Sequence, residues 1–103
     1  MNDTESPPDA VQVRIYGRVQ GVWFRGWMVK VAQDLDLAGW VRNRSDGSVE
    51  ALLVGRPADV ETMIGRCRKG PPTARVDDIV LEKAGNAPLD EISAAGFRQL
   101  PTL

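Results

Sequence analysis

Gly17-Arg-Val-Gln-Gly-Val-Trp-Phe-Arg25 is the stretch of this chain whose residue types and spacing could do chemistry. It lies between an alternating apolar run and a run of helical period, so it reads as a strand-to-helix turn with a cation at its exit. Gly17 and Gly21 let the backbone bend sharply. Several consecutive N–H groups of the loop can then converge on one point with no side chain in the way. The first turn of the following helix adds unpaired N–H groups and partial positive charge. Arg25 contributes a planar fork of donors matched to phosphate or carboxylate oxygens. Together these could hold a phosphate-sized anion. An arginine at a helix start is otherwise a solvated surface residue, and the two-glycine loop before it is what argues for a site.

What the chain lacks narrows the chemistry further. Its 103 residues include no His and a single Cys. Ser-His-Asp and Cys-His arrangements are therefore excluded, and no side chain has an unperturbed pKa near neutrality. Any reaction catalysed here must need little proton shuttling. The usual zinc ligand sets are out of reach, and Cys67 has no internal disulfide partner. Cys67 falls on an apolar helical stripe and reads as a small buried hydrophobe. Thr73, not an arginine, stands six positions after it, which argues against a thiolate phosphatase loop. Asp34-Leu-Asp36 falls at a helix end instead of following a hydrophobic strand, so it is not read as a paired-aspartate phosphatase motif.

The elements that must position this loop follow from periodicity. Residues 1–10, with Asp3, Glu5, Pro7, Pro8 and Asp9, are polar and Pro-rich and read as a mobile tail before a single domain over residues 11–100. Val11, Val13 and Ile15 alternate with Gln12, Arg14 and Tyr16, the pattern of a strand with one buried face. Phe24, Trp27, Met28, Val31 and Leu35 then form the stripe of an amphipathic helix, with Arg25 at its edge. Gly26 is an oddity inside that helix, where glycine costs roughly 1 kcal/mol against alanine. Gly39 to Asn43 and Ser48 to Val54 read as strands joined at Asp46-Gly47, a strong hairpin signal. Pro57, with Val60, Met63, Ile64 and Cys67, announces a second helix that Gly70-Pro71-Pro72 ends. Ala74 to Glu82 reads as a fourth strand, Asn86 to Ala95 as loop, and Phe97 to Leu100 as a short fifth strand. The order β-α-β-β-α-β predicts an α+β, ferredoxin-like split βαβ sandwich: an antiparallel sheet of four to five strands with two helices on one face.

The formal net charge of −1 gives no whole-protein field that would gather nucleic acid, so an anion must be held locally. The longest apolar runs fall far short of the roughly 20 residues of a membrane span, and the N-terminus lacks the layout of a secretion signal. A cytoplasmic monomer without nucleic-acid or membrane partners is expected. An RNA-binding sheet would need paired aromatics on two central strands and a basic face, which Tyr16 alone does not provide.

Gly17-Arg-Val-Gln-Gly-Val-Trp-Phe-Arg25, Gly39-Trp-Val-Arg-Asn43 and Asp46-Gly-Ser-Val-Glu50, in that order, resemble the acylphosphatase family, and Gly70-Pro-Pro-Thr-Ala-Arg75 is similar to its bacterial members. The likeness runs from about Val11 to about Leu81. It implies hydrolysis of acyl phosphates to a carboxylate and inorganic phosphate, with no metal or organic cofactor. It also implies that Arg25 and the amides of Arg18, Val19, Gln20, Gly21 and Val22 hold the phosphate, while Asn43 positions the attacking water. The absence of His suits this reaction, because a carboxylate leaves readily as an anion and needs no general acid. The alternative for Asn43 is an Asx-type bond to its own hairpin. The alternative function is a non-catalytic binding module of the same fold. Trp27 is expected in the core, Trp23 at the rim of the site and Trp40 beneath it. Arg18 is expected to attract anionic substrate or simply to solubilise the surface. Gly26 and Arg44 are expected to modulate substrate fit or local flexibility. Gln99 stands where an apolar residue on the Phe97 side is expected, which weakens the match of the last strand.

Overall fold

The computed structural model describes residues 9–84 and 96–103. Its elements are β1 (Asp9–Arg18), α1 (Phe24–Asp34), β2 (Ala38–Asn43), β3 (Val49–Gly55), α2 (Pro57–Lys69), β4 (Arg75–Lys83) and β5 (Phe97–Gln99). The strands form one sheet in the order β4-β1-β3-β2-β5. β3 runs antiparallel between β1 and β2, and β4 runs antiparallel to the outer side of β1. This is the split βαβ arrangement. The four main strands are antiparallel as expected, whereas β5 joins β2 in parallel and makes the sheet mixed.

α1 packs over β2 and β5, and α2 over β4 and β1. The core lies between the helices and the sheet. Val13, Ile15, Val41, Val49, Ala51 and Leu53 from the sheet meet Phe24, Met28, Val60, Met63 and Cys67 from the helices. The alternation that marked β1 as half-buried is therefore realised with Val11, Val13 and Ile15 inward. β3 is buried along both faces because it is the central strand. Its second set of side chains, Leu52 and Val54, packs with Ala10 and Ala38 on the face away from the helices.

Some boundaries differ from expectation. β1 begins at Asp9, so Asp9 and Ala10 belong to the sheet and only residues 1–8 of the expected tail fall outside the described residues. The expected loop from Asn86 to Ala95 also falls outside them. β1 runs on through Gly17 to Arg18, which pairs with Arg75. Gly17 is thus not part of the turn. It sits where the β1–β4 register shifts, with φ of 132°, and a side chain there would collide with the Arg75 carbonyl. Glycine lets the two strands close at that bulge.

Candidate active site

β1 and β2 run in the same direction, so the C-terminal end of β1, the end of β2 and the start of β3 share one end of the sheet. The segment 19–23 emerges there and turns into α1. Val19 is 1% exposed and joins the core, which pins the start of the turn. Gly21 then takes φ of 72° with open space around it, so glycine is needed for the backbone angle and not for room. Trp23 is the N-cap of α1, also left-handed at φ 67° and ψ 24°, and gives the helix no side-chain cap. No acidic residue occupies the first turn. Among the described residues, no backbone acceptor takes the N–H of Val19, Gln20, Gly21, Val22 or Trp23. A run of unpaired donors and the positive end of an uncapped helix therefore meet at one place.

Arg25 is half-buried on the first turn of α1, and among the described residues its guanidinium has no hydrogen bond or ion pair. It lines a cavity of about 120 Å³ with Val19 and Gly21 from the loop, Trp23 and Gly26 from the helix start, and Gln99 from β5. Drug-sized pockets begin near about 300 Å³. This one suits a group the size of phosphate.

Two side-chain bonds hold the loop in shape. Gln20 Nε2 donates to the carbonyls of Arg44 and Ser48, both at 2.8 Å, and so fastens the loop to the β2–β3 turn. Thr73 Oγ1 donates to the Val22 carbonyl at 2.7 Å from the segment between α2 and β4. Periodicity could not have found either bond, because each partner is distant in sequence. A glutamine and a threonine in otherwise tight turns were the available signal.

Asn43 ends β2. Val41, two residues earlier, belongs to the helix-side core, so Asn43 faces the helices as well. It pairs with Val49, which pairs with Ile15 of β1, placing Asn43 roughly 10 Å across the sheet from the strand that feeds the loop. Its backbone is held from the other side by Leu103 N–H, which donates to the Asn43 carbonyl at 3.1 Å. Its Oδ1 is buried without a hydrogen-bond partner, a state that costs about 1–3 kcal/mol when nothing binds there. The Asx-type alternative for Asn43 is not realised. Asp46 takes that role instead, accepting from Ser48 N–H at 2.9 Å and Ser48 Oγ at 2.6 Å. Those bonds hold the Asp46 carboxyl below its ordinary range. Asn43 does not line the Arg25 cavity itself.

Two expected neighbours turn their side chains elsewhere, while Arg18 is exposed as expected. Trp40 and Arg42 are on the face away from the helices, where the Arg42 guanidinium stacks over the Trp40 ring at 4.7 Å, so Trp40 does not pack beneath the site. Arg44 turns its side chain to that same face and donates to Glu50 at 3.1 Å, leaving only its carbonyl on the loop. Arg18 is exposed at the end of β1. Trp27 packs edge-on against Phe24 with ring centroids 5.4 Å apart, as expected of a core aromatic, and Trp23 stands at the rim.

A family model described as Acylphosphatase matches residues 11–98. A protein named acylphosphatase from Rhodospirillum rubrum is 55% identical over 91 residues, covering 88% of this chain and 94% of its own length. One of the same name from Rhizorhabdus wittichii is 54% identical, covering 93% and 94%. The solved structure of an acylphosphatase from Coxiella burnetii superposes with a TM-score of 0.83 at 31% identity, covering 97% of this chain and all of that one.

Proposed function

This chain belongs to the acylphosphatase family, and on that premise we propose how its residues divide the work of hydrolysing an acyl phosphate to a carboxylate and inorganic phosphate. The Rhodospirillum rubrum and Rhizorhabdus wittichii proteins match along 94% of their own length, so the likeness to them is to whole small proteins. A non-catalytic module is the weaker reading. The phosphoryl group binds against the loop amides of Val19 to Val22, with Arg25 bridging its oxygens; the Arg18 amide is left out of the cradle because its backbone pairs with Arg75 in the sheet. Asn43 accepts a hydrogen bond from a water through Oδ1 and aims the water's lone pair at phosphorus. As the water oxygen bonds to phosphorus, the bond from phosphorus to the acyl oxygen breaks and its electron pair leaves on the carboxylate. The water proton passes to a phosphoryl oxygen or to solvent.

Charge builds up on the phosphoryl oxygens and the leaving carboxylate, and fixed donors stabilise it without reorganising. The leaving group needs no proton, so neither a histidine nor a metal is required. The observation that carries this reading is the unpaired Arg25 guanidinium in a phosphate-sized cavity beside a run of N–H groups with no backbone acceptor. The same reading takes a small-molecule acyl phosphate as substrate, and with it we infer, as expected from the sequence, a cytoplasmic monomer. No helix among the described residues is long and apolar enough to cross a membrane.

Purified protein is expected to hydrolyse benzoyl phosphate in the presence of a chelator, with inorganic phosphate as a competitive inhibitor. Arg25→Gln removes both phosphate inhibition and turnover. Asn43→Ala lowers kcat by about 10²–10³, the scale of losing one positioned polar group, and leaves the phosphate inhibition constant near its wild-type value. Equal loss of phosphate binding in both variants would contradict this division of roles.

A further inference from the structure

A cavity of about 120 Å³ accounts for the phosphoryl half of the substrate and leaves the acyl half without a place. Two features of the first turn of α1, each unfavourable alone, bear on that gap. Trp23 is 64% exposed and held in the left-handed region, a conformation that a large side chain adopts only under constraint. Gly26, three residues on, weakens the helix that Trp23 caps. They belong together. The Trp23 indole lies across Gly26, so that a Cβ on Gly26 would run into its Nε1 and Cδ1.

The core does not need this arrangement, because Phe24 and Trp27 supply the aromatic packing of that turn. Its result is a large indole held over Gly26, mostly open to solvent and lining the same cavity as the Arg25 guanidinium. An exposed indole beside a half-buried anion site is a contact surface for whatever projects from the anion. Gln99 of β5 supplies a polar group to the same cavity, suited to hydrogen-bonding the departing carboxylate.

We propose that Trp23 is the acyl-group platform of this enzyme, a specificity-determining residue that, with Gly26 beneath it, favours acyl phosphates carrying flat, apolar acyl groups. This rests on the assignment of the phosphoryl group to the Arg25 cavity. Trp23 does not take part in bond cleavage. It holds the group that leaves, so its effect falls on KM for substrates with an aromatic acyl group and is absent for those with a methyl group.

The test compares benzoyl phosphate with acetyl phosphate in the wild type, Trp23→Ala, Trp23→Phe and Gly26→Ala, with inhibition by inorganic phosphate measured in each. Trp23→Ala is expected to lower kcat/KM for benzoyl phosphate about five- to tenfold relative to acetyl phosphate, through KM, with the phosphate inhibition constant unchanged. Trp23→Phe keeps most of the preference. Gly26→Ala reproduces the loss with the indole still in the chain, because the new methyl displaces it. An equal fall for both substrates overturns the proposal, as does a parallel weakening of phosphate inhibition, which would mark Trp23 as a residue that only shapes the loop. Wild-type enzyme that hydrolysed neither substrate would remove the hydrolase reading itself and this inference with it, an outcome distinct from a lost or absent preference.

Discussion

Gln20 shows how one side chain can serve an anion site without touching the anion. Its amide nitrogen reaches two carbonyls of the hairpin turn, so the loop that bends at Gly21 is fastened to the strand end that carries Asn43. The backbone N–H of Gln20 belongs to the unpaired run, whereas its side chain points away from it. The two contributions are therefore separable by substitution. Gln20→Ala keeps the N–H and removes the tether, leaving the Arg44 and Ser48 carbonyls each one donor short. Stability is expected to fall by about 1–2 kcal/mol, in line with two modest neutral hydrogen bonds. The phosphate inhibition constant is expected to rise about tenfold as the loop amides lose their common aim. Urea unfolding and phosphate inhibition measured on the same protein distinguish the roles. A stability loss with unchanged phosphate inhibition would mean that the tether holds the hairpin and not the anion cradle.

At the scale of elements, the face of the sheet away from the helices is held by a charge cluster on neighbouring strands. Glu50 of β3 is 4% exposed. It accepts from Arg42 at 2.9 Å and Arg44 at 3.1 Å, with Gln12 at 2.5 Å and Arg14 within 3.7 Å on its other oxygen. Burial alone would raise its pKa, but the hydrogen bond and charge of Arg42, with help from Gln12 and Arg44, bring it below the ordinary 4.5. A carboxyl depressed in the folded state contributes stability that is fully present above its unfolded pKa and lost as pH falls through the folded value. The urea midpoint should therefore decline as pH drops below about 4.5, with part of that decline due to Glu50. Glu50→Gln is expected to cost on the order of 2 kcal/mol at neutral pH, less than a fully buried pair because the arginines reach solvent, and to flatten the acid limb. An unchanged acid limb would assign that decline to other carboxyls. This cluster also marks where sequence reading stopped. The elements were legible because their periods were clean: Val11, Val13 and Ile15 at a spacing of two, and Phe24, Met28 and Val31 at helical spacing. β5 was weakly legible, being three residues long with only Phe97 buried. The strand-loop-helix passage and Arg25 could be read from glycine spacing. The faces of Trp40 and Arg44 could not, since they depend on the β2–β3 register. Nor could the distance between Asn43 and the loop, which depends on β3 lying between β1 and β2.

The molecule as a whole bears on the site through its single core, since the loop, the hairpin and Asn43 are each anchored in elements that pack on the others. Cys67 reports on that core. It is 0% exposed on the sheet-facing stripe of α2, and burial pushes its thiol from 9.0 up to about 12. The thiolate is the reactive form, so the folded protein at pH 8 should resist a thiol reagent until α2 leaves the sheet. As the one cysteine of the chain, it gives an unambiguous signal. If the domain opens as one unit, the labelling rate under fast reclosing tracks the global stability measured in urea, and the Gln20→Ala and Glu50→Gln variants label faster in proportion to their losses. Labelling faster than global unfolding allows would show that α2 detaches by itself. The same burial predicts an alkaline limit. A thiol whose pKa is raised on folding contributes stability that is intact below 9.0 and lost as pH climbs toward 12, because the unfolded chain ionises there first. The urea midpoint should therefore fall above pH 9, and Cys67→Ala, although less stable at neutral pH because of the space it leaves, should show a shallower fall. A fall of equal steepness in both proteins would show that the alkaline limit does not come from the thiol.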